Sequence, residues 1–353
     1  MVKNKKIGTV ISIKANYYFV QYEEDIFICS IRAILKKEQK EIKVGDLVVI
    51  EESSLNDKTA VIDDVLLRKN EFTKPSIANI DQAVIIMATK EPPFSANLLD
   101  RIITTLAFYK IEPVICLNKI DVKSPDIEDF IRNTYLPLEY KIIFTSALKK
   151  WGIDELYECL KDKVSLFLGP SGTGKSSIIN ALNPGLELSI GETSSKTGTG
   201  RHTTRHVSLL TLKKGTEIAY VADSPGFIFL DLLNIPSLEL MWCFKEFHPF
   251  ITKCHYSSCL HWTEPGCAVK QNISQNSNRY KNYIEFLLEI VQKEKSDISP
   301  LRKEKSTKIR CTKGGKQIEI IRLGQKSRAG SKRLNRQKLK DEERLLEYDE
   351  EKF

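Results

Sequence analysis

Val164–Leu182 reads VSLFLGPSGTGKSSIINAL. Within it, Gly169-Pro170-Ser171-Gly172-Thr173-Gly174-Lys175-Ser176 matches GxxxxGK[ST] in full, with Ser177 behind it. The apolar run Val164–Leu168 has the length of a strand, and Ser177–Leu182 continues with helical character. Strand, glycine-rich loop and helix in that order form a phosphate cradle. Its glycines let backbone N–H groups turn inward around phosphates. Lys175 is expected to neutralise the β- and γ-oxygens, and the Ser176 hydroxyl to ligate Mg²⁺.

A phosphate cradle does not select a base. The selection is written upstream, in Asn118-Lys119-Ile120-Asp121, which closes the apolar run Pro113–Leu117. A carboxylate at Asp121 accepts from both guanine N1–H and the exocyclic amine, a pair that adenine lacks. A site built around that pairing rejects a base that leaves it unmet. The Lys119 stem packs along the purine face, and Asn118 ties its loop to the cradle. Thr145-Ser146-Ala147, after the run Ile142–Phe144, presents a backbone N–H to guanine O6. Downstream, Asp223-Ser224-Pro225-Gly226 closes the run Ile218–Ala222. Asp223 is expected to hold Mg²⁺ through water, and the Gly226 N–H to meet the γ-phosphate. Each motif stands at the C-terminal end of a candidate strand, where α/β sheets bind ligands. The nucleotide is therefore GTP.

The order of these motifs is unusual. Ordinary GTPases begin with the phosphate loop, whereas here the guanine-reading motifs precede it. Joining the usual ends and cutting before the candidate strand Ala83–Ala88 gives this order without disturbing the sheet. Strand-length runs alternate with helix-length stretches such as Asn97–Tyr109 and Ile153–Leu160. The expected fold is α/β, a circularly permuted P-loop domain with a parallel sheet covered on both faces.

The flanks read differently. Ile7, Thr9, Ile11 and Ile13 alternate with other residues, Tyr18, Val20 and Tyr22 continue that period, and Ile26–Ile31, Leu47–Ile50 and Thr59–Leu67 follow. About five short strands with tight turns fit a small β-barrel of the OB type. Tyr17, Tyr18, Phe19 and Phe27 either fill its core or stack on unpaired bases. Beyond the α/β part, Cys254-(x4)-Cys259-x-His261-(x5)-Cys267 offers three thiolates and an imidazole. Four such ligands fill a tetrahedron around Zn²⁺ and leave no open position, so the site reads as structural. His255, beside Cys254, is an alternative ligand on spacing alone. The other five of the eight cysteines are scattered, as reduced thiols are. Helical spacing follows over Asn278–Lys293, in Tyr280, Tyr283, Ile284, Leu287 and Leu288.

From Arg302 to Lys340 there are fifteen Lys or Arg against two Glu, and Asp341–Lys352 then carries seven acids and two bases. That charge pattern reads as a disordered tail or an RNA-binding arm. The expected division is residues 1–70 for the barrel, 71–235 for the permuted domain, 236–295 for a helical zinc-binding domain and 296–353 for the basic tail. No apolar run approaches the roughly 20 residues of a membrane span. The charged start Met1–Lys6 leads into no apolar stretch, so no signal peptide is read and a cytoplasmic monomer is expected. The net charge of +8 across 353 residues leaves a polyanionic partner open.

Together with Gly200-Arg201-His202-Thr203-Thr204 and Pro236–Phe250 (PSLELMWCFKEFHPF), these features resemble the ribosome small subunit-dependent GTPase A family over residues 5–295. The resemblance implies an OB-fold, a permuted GTPase domain and a zinc-bearing helical domain. It implies late work on the small ribosomal subunit and its rRNA, with hydrolysis of GTP to GDP stimulated by the subunit. The family pattern selects His261 over His255 as ligand. It also aligns His202 with a suspected catalytic histidine. Many GTPases orient the attacking water with a Gln just after DxxG, but Phe227 stands there. Thr203 or Thr204 is expected to close over Mg²⁺, while Arg201 and Arg205 face either transition-state charge or rRNA phosphates. Gly172 stands where some GTPases place a potassium-holding Asn, so that device is not expected.

Overall fold

A computed structural model describes residues 5–38, 40–54, 58–72, 76–183, 208–214, 217–223, 232–303, 307–311 and 317–321. His202, Thr203, Thr204 and Gly226 lie outside them. The chain divides into two compact units, Met1–Ile290 and Val291–Phe353.

The first unit opens with β1 (Lys5–Lys14), β2 (Tyr17–Tyr22), β3 (Asp25–Ile31), α1 (Ala33–Lys37), β4 (Leu47–Ser54) and β5 (Thr59–Val65). These strands close a barrel in the order β1-β2-β3-β5-β4, with β4 pairing back onto β1. Alternation explains its interior. Val10, Val20, Phe27, Cys29, Val48, Ile50, Ala60 and Ile62 are all buried. Of the four aromatics, Phe27 fills this core, Tyr18 packs against it, Phe19 is half-buried and Tyr17 is 56% exposed. A small ladder, β6 (Glu71–Phe72) with β7 (Ile77–Ala78), follows the barrel. Asp46, fully buried, accepts from the Lys43 N–H and twice from Arg68, fixing the chain as it leaves the barrel.

The sheet is built from β8 (Gln82–Ala88), α2 (Ala96–Phe108), β9 (Glu112–Asn118), α3 (Pro125–Tyr135), β10 (Lys141–Phe144), α4 (Ile153–Leu160), β11 (Val164–Leu168), α5 (Lys175–Leu182), β12 (Leu209–Lys214) and β13 (Glu217–Asp223). The strand order is β10-β9-β8-β11-β13-β12. Every residue of β8 is buried. Ala83, Ile85 and Met87 enter a core with Leu99, Ile103 and Leu106 of α2. Val84 and Ile86 enter another with Leu156 of α4 and Ile178 of α5. Burial on both faces is why these strands read as unbroken apolar runs. Each such aliphatic side chain contributes about 1.5–3 kcal/mol. Ser95 starts α2 by accepting the Leu98 N–H at 3.2 Å, and Pro125 opens α3 with Asp126 and Glu128 in its first turn.

One expectation needs correcting. The sheet is not wholly parallel, because β12 runs antiparallel to β13 at the edge. Its run Leu209–Lys214 ends on two exposed lysines, a half-wet pattern suited to an edge.

After β13 come short turns at Leu232–Asn234, Leu240–Cys243 and Lys245–Phe247, then α6 (His248–Ile251), α7 (Ala268–Asn272) and α8 (Asn278–Lys303). The buried stripe of α8 uses Tyr280, Tyr283, Phe286, Leu287 and Ile290, while Leu288 is exposed. Phe244 and Phe247 pack edge-on to Tyr283. A buried ionic cluster joins α8 to α2. Arg279 bonds Asp100 and forks onto Glu246 at 2.6 and 3.1 Å. Asn282 and the Tyr135 hydroxyl also donate to Asp100, at 2.6 and 2.9 Å. Burial raises the Asp100 carboxyl. Burial also works against the Arg279 charge, but Asp100 and Glu246 outweigh it and hold the guanidinium protonated. With an arginine, an amide and a phenol all aimed at Asp100, the pair is ionised.

The second unit contains, among its described residues, an antiparallel ladder of β14 (Thr307–Cys311) and β15 (Gln317–Ile321). The charge count alone points to disorder for this stretch. It overlooks the alternation in both strands, with Gly314-Gly315 between them.

Candidate nucleotide site and metal centre

Parallel strands bring the C-terminal ends of β8, β9, β10, β11 and β13 to one edge of the sheet. Asn118 ends β9, Thr145 follows β10, Gly169 follows β11 and Asp223 ends β13. The Asn118 side chain donates to the Thr173 carbonyl at 2.8 Å, so the turn after β9 is tied to the glycine-rich loop after β11. Its amide oxygen accepts from the Thr145 hydroxyl and the Ala147 N–H, both at 3.2 Å. One buried amide therefore holds three motifs together.

Gly174 has φ of +93°, and a Cβ there would stand 2.3 Å from the Asn118 amide nitrogen. Gly169, at φ +142°, would place a Cβ 2.1 Å from the Ile86 carbonyl oxygen. Both positions require glycine. The Lys175 ammonium bonds the Gly169 and Pro170 carbonyls at 2.8 and 2.7 Å, across the mouth of its own loop. Thr173 is buried, and Ser171 and Gly172 are exposed at the tip. Ser176 and Ser177 stand in the first turn of α5.

Beside the loop lies a cleft lined by Asn118, Lys119, Asp121, Val122, Ala147, Leu148, Gly174 and Ser177. The Ser146 hydroxyl donates to the Asp121 carboxylate at 2.5 Å and aims it. Lys119 sits in the left-handed region at φ +65°, a conformation that costs about 1 kcal/mol or more in a non-glycine residue. Thr89, buried after β8, stabilises that turn. Its N–H donates to the Asn118 carbonyl at 3.2 Å and its hydroxyl to the Lys119 carbonyl at 2.9 Å. The Lys119 ammonium in turn donates to the Glu91 carbonyl. Sequence reasoning missed Thr89 and Glu91, because neither belongs to a motif. Their signal was position, directly behind the strand β8 at the binding edge.

Cys254, Cys259, His261 and Cys267 place their ligand atoms within 4.8 Å of one another, an arrangement able to hold a metal ion. His261 points Nδ1 at the group, 3.6 Å from the Cys254 sulfur and 3.4 Å from that of Cys267. His255 is not in the group and packs edge-on to Tyr256. Tyr280 and Tyr283 donate to the carbonyls of His261 and Leu260, at 2.7 and 2.8 Å, so α8 supports the ligand loop. Burial lowers the His261 ring, which favours the neutral imidazole a metal needs. Burial also pushes the Cys259 thiol up to about 12.

Residues 64–233 match the sequence model of the RsgA GTPase family. The "Small ribosomal subunit biogenesis GTPase RsgA" of Caldanaerobacter subterraneus is 41% identical over 292 residues, covering 82% of this chain and 97% of that protein. The crystal structure of YjeQ from Thermotoga maritima superposes with a TM-score of 0.70 at 34% identity, over 82% of this chain and 99% of that one. YloQ, described as a circularly permuted GTPase, gives a TM-score of 0.68 at 32% identity, over 82% and 96%. Motif order, barrel, cysteine–histidine cluster and likeness agree, and the chain belongs to the RsgA GTPase family, a circularly permuted GTPase carrying an OB-type barrel.

Proposed function

We propose that this protein hydrolyses GTP to control a late step in maturation of the small ribosomal subunit, binding rRNA in the cytoplasm as a monomer. The observation that carries the nucleotide half is the Asp121 carboxylate, aimed by Ser146 into a cleft that borders the phosphate loop. The small-subunit half is supported by family membership and the name its relative bears. Among the described residues no helix is long and apolar enough to cross a membrane.

In this reading Asp121 accepts from the guanine edge, the Lys119 stem covers the purine and the Ala147 N–H faces O6. Lys175 leaves the Gly169 and Pro170 carbonyls for phosphate oxygens as the nucleotide enters. Ser176, Thr203 or Thr204, and Asp223 would hold Mg²⁺, which would supply neutralisation of phosphate charge. Gly226 senses the γ-phosphate, and His202 orients the attacking water in place of the missing Gln.

The metal centre is proposed as one structural zinc on Cys254, Cys259, His261 and Cys267. Zinc bonds of about 2.3 Å to sulfur and about 2.0–2.1 Å to nitrogen, at tetrahedral angles, set sulfur–nitrogen edges of about 3.6 Å. Two of the three such edges, from His261 to the Cys254 and Cys267 sulfurs, are 3.6 and 3.4 Å, close to that length.

The test is phosphate release under multiple turnover, with and without small subunits. Subunits should accelerate it, and His202→Ala should keep GTP binding while lowering stimulated turnover by roughly 10²–10⁴. Turnover that is flat with subunits would reduce the protein to a binding module.

A further inference from the structure

The turn after β10 projects from the rim of the guanine cleft. Leu148 is 79% and Trp151 53% exposed, with exposed Lys149 and Lys150 between them. On the neighbouring turn, Val122 lines the same cleft as Leu148, and Lys123 beside it is exposed. Among the described residues, none of these three ammonium groups pairs with a carboxylate, and the Trp151 ring stacks on no other aromatic.

The turn is nevertheless rigid. Ser146 and Trp151 exchange backbone hydrogen bonds of 3.0 and 3.1 Å. The Lys149 N–H also donates to the Ser146 hydroxyl at 3.1 Å. The indole is thus held half-open to solvent by its backbone, with Lys149 and Lys150 beside it.

Those features match one class of partner. Ammonium groups complement phosphates, and a fixed aromatic face takes an unpaired base whatever its identity. An acidic protein surface would satisfy the lysines and leave the indole face unused. Resting on the small-subunit reading above, we propose that Lys149, Lys150 and Trp151 grip an unpaired segment of ribosomal RNA at the rim of the guanine cleft. The same Ser146 that anchors Trp151 aims Asp121, so the RNA grip and the base site share one turn.

The experiment measures small-subunit affinity of the full chain over a series of salt concentrations, alongside GDP affinity and basal GTP turnover. Trp151→Ala should weaken subunit binding about 5- to 150-fold, with Trp151→Phe retaining most of it. Lys149→Ala with Lys150→Ala should lower the slope of log affinity against log salt by about 1.4, for two contacts to single-stranded phosphates. GDP affinity and basal turnover should stay unchanged in all variants, because Lys149 and Trp151 hold the turn through their main-chain groups, which substitution leaves in place. If the unmodified protein does not bind subunits, the small-subunit reading falls and this surface with it. If it binds and the variants bind equally well, this surface alone is overturned. A double-lysine variant that loses affinity at unchanged salt slope assigns the contact to protein and also overturns the proposal. So does loss of GDP affinity in Trp151→Ala, which would make the indole a prop of the base site.

Discussion

Replacing Asp100 by alanine should loosen α8 from α2 and α3. The carboxylate is fully buried and receives Arg279, Asn282 and Tyr135. Its removal leaves Arg279 with Glu246 as its carboxylate partner among the described residues, and strips an acceptor from a phenol and an amide. Breaking a buried pair costs about 3–5 kcal/mol, and Glu246 keeps the total from exceeding that range. In urea, with a slope near 3 kcal/mol/M for a unit of this size, the midpoint should fall by about 1–2 M. Circular dichroism follows the transition. Asp100→Asn, which keeps an acceptor oxygen but removes the charge, should cost roughly half as much. Arg279→Met should be destabilising alone, and combined with Asp100→Ala should cost less than the sum, since the pair is then absent from both sides. A loss under about 1 kcal/mol for Asp100→Ala, with additive double-variant behaviour, would refute the view that this cluster holds the helices together.

Asp121→Asn should lower GTP affinity and raise relative affinity for xanthosine nucleotides; competition binding checks this, and an unmodified protein that binds ATP and GTP equally would contradict the base-reading role. Thr89→Val removes the hydroxyl bond to the Lys119 carbonyl, worth about 1 kcal/mol, so GDP affinity should drop about fivefold and return in Thr89→Ser. A loss in Thr89→Ser as large as that in Thr89→Val would show that the hydroxyl bond does not carry the effect by itself. The purified, reduced protein should carry one zinc by elemental analysis. Cys259→Ser should release it and destabilise the helices around the ligand loop, while GDP binding persists.

The parts of this fold that were legible in the sequence are those where one physical demand dominates. β8, buried on both faces, could only be apolar, and GPSGTGKS must use glycine where φ is positive and the backbone passes close by. α3 gave no comparable signal, because its sequence PDIEDFIRNTY is largely polar and buries only Ile131 and Tyr135. β12 lies at an edge and shows half an alternation before its lysines. Thr89 was invisible for another reason. A threonine after a strand is ordinary, and its importance arises only where tertiary structure sets its hydroxyl against the left-handed Lys119 turn. Spacing left His255 and His261 open as metal ligands, and the path of the loop carries His261 to the cysteines, as the family pattern had implied.

Strand order in the permuted sheet also sets a timetable for synthesis. The chain enters at β8 in the middle of the sheet, builds outward through β9 to β10, returns to the middle with β11, crosses to the far edge with β12 and fills the gap between them with β13. As the polypeptide emerges N-terminus first, Asn118, Asp121 and Ser146 are translated before Gly169–Ser176. At about 5–20 residues per second, the phosphate loop trails the base-reading turn by a few seconds. Asn118 has no Thr173 carbonyl to bond until then. The nascent half-sheet must therefore stand on its own apolar packing, and guanine nucleotide can serve only as a late clasp on a core already laid down.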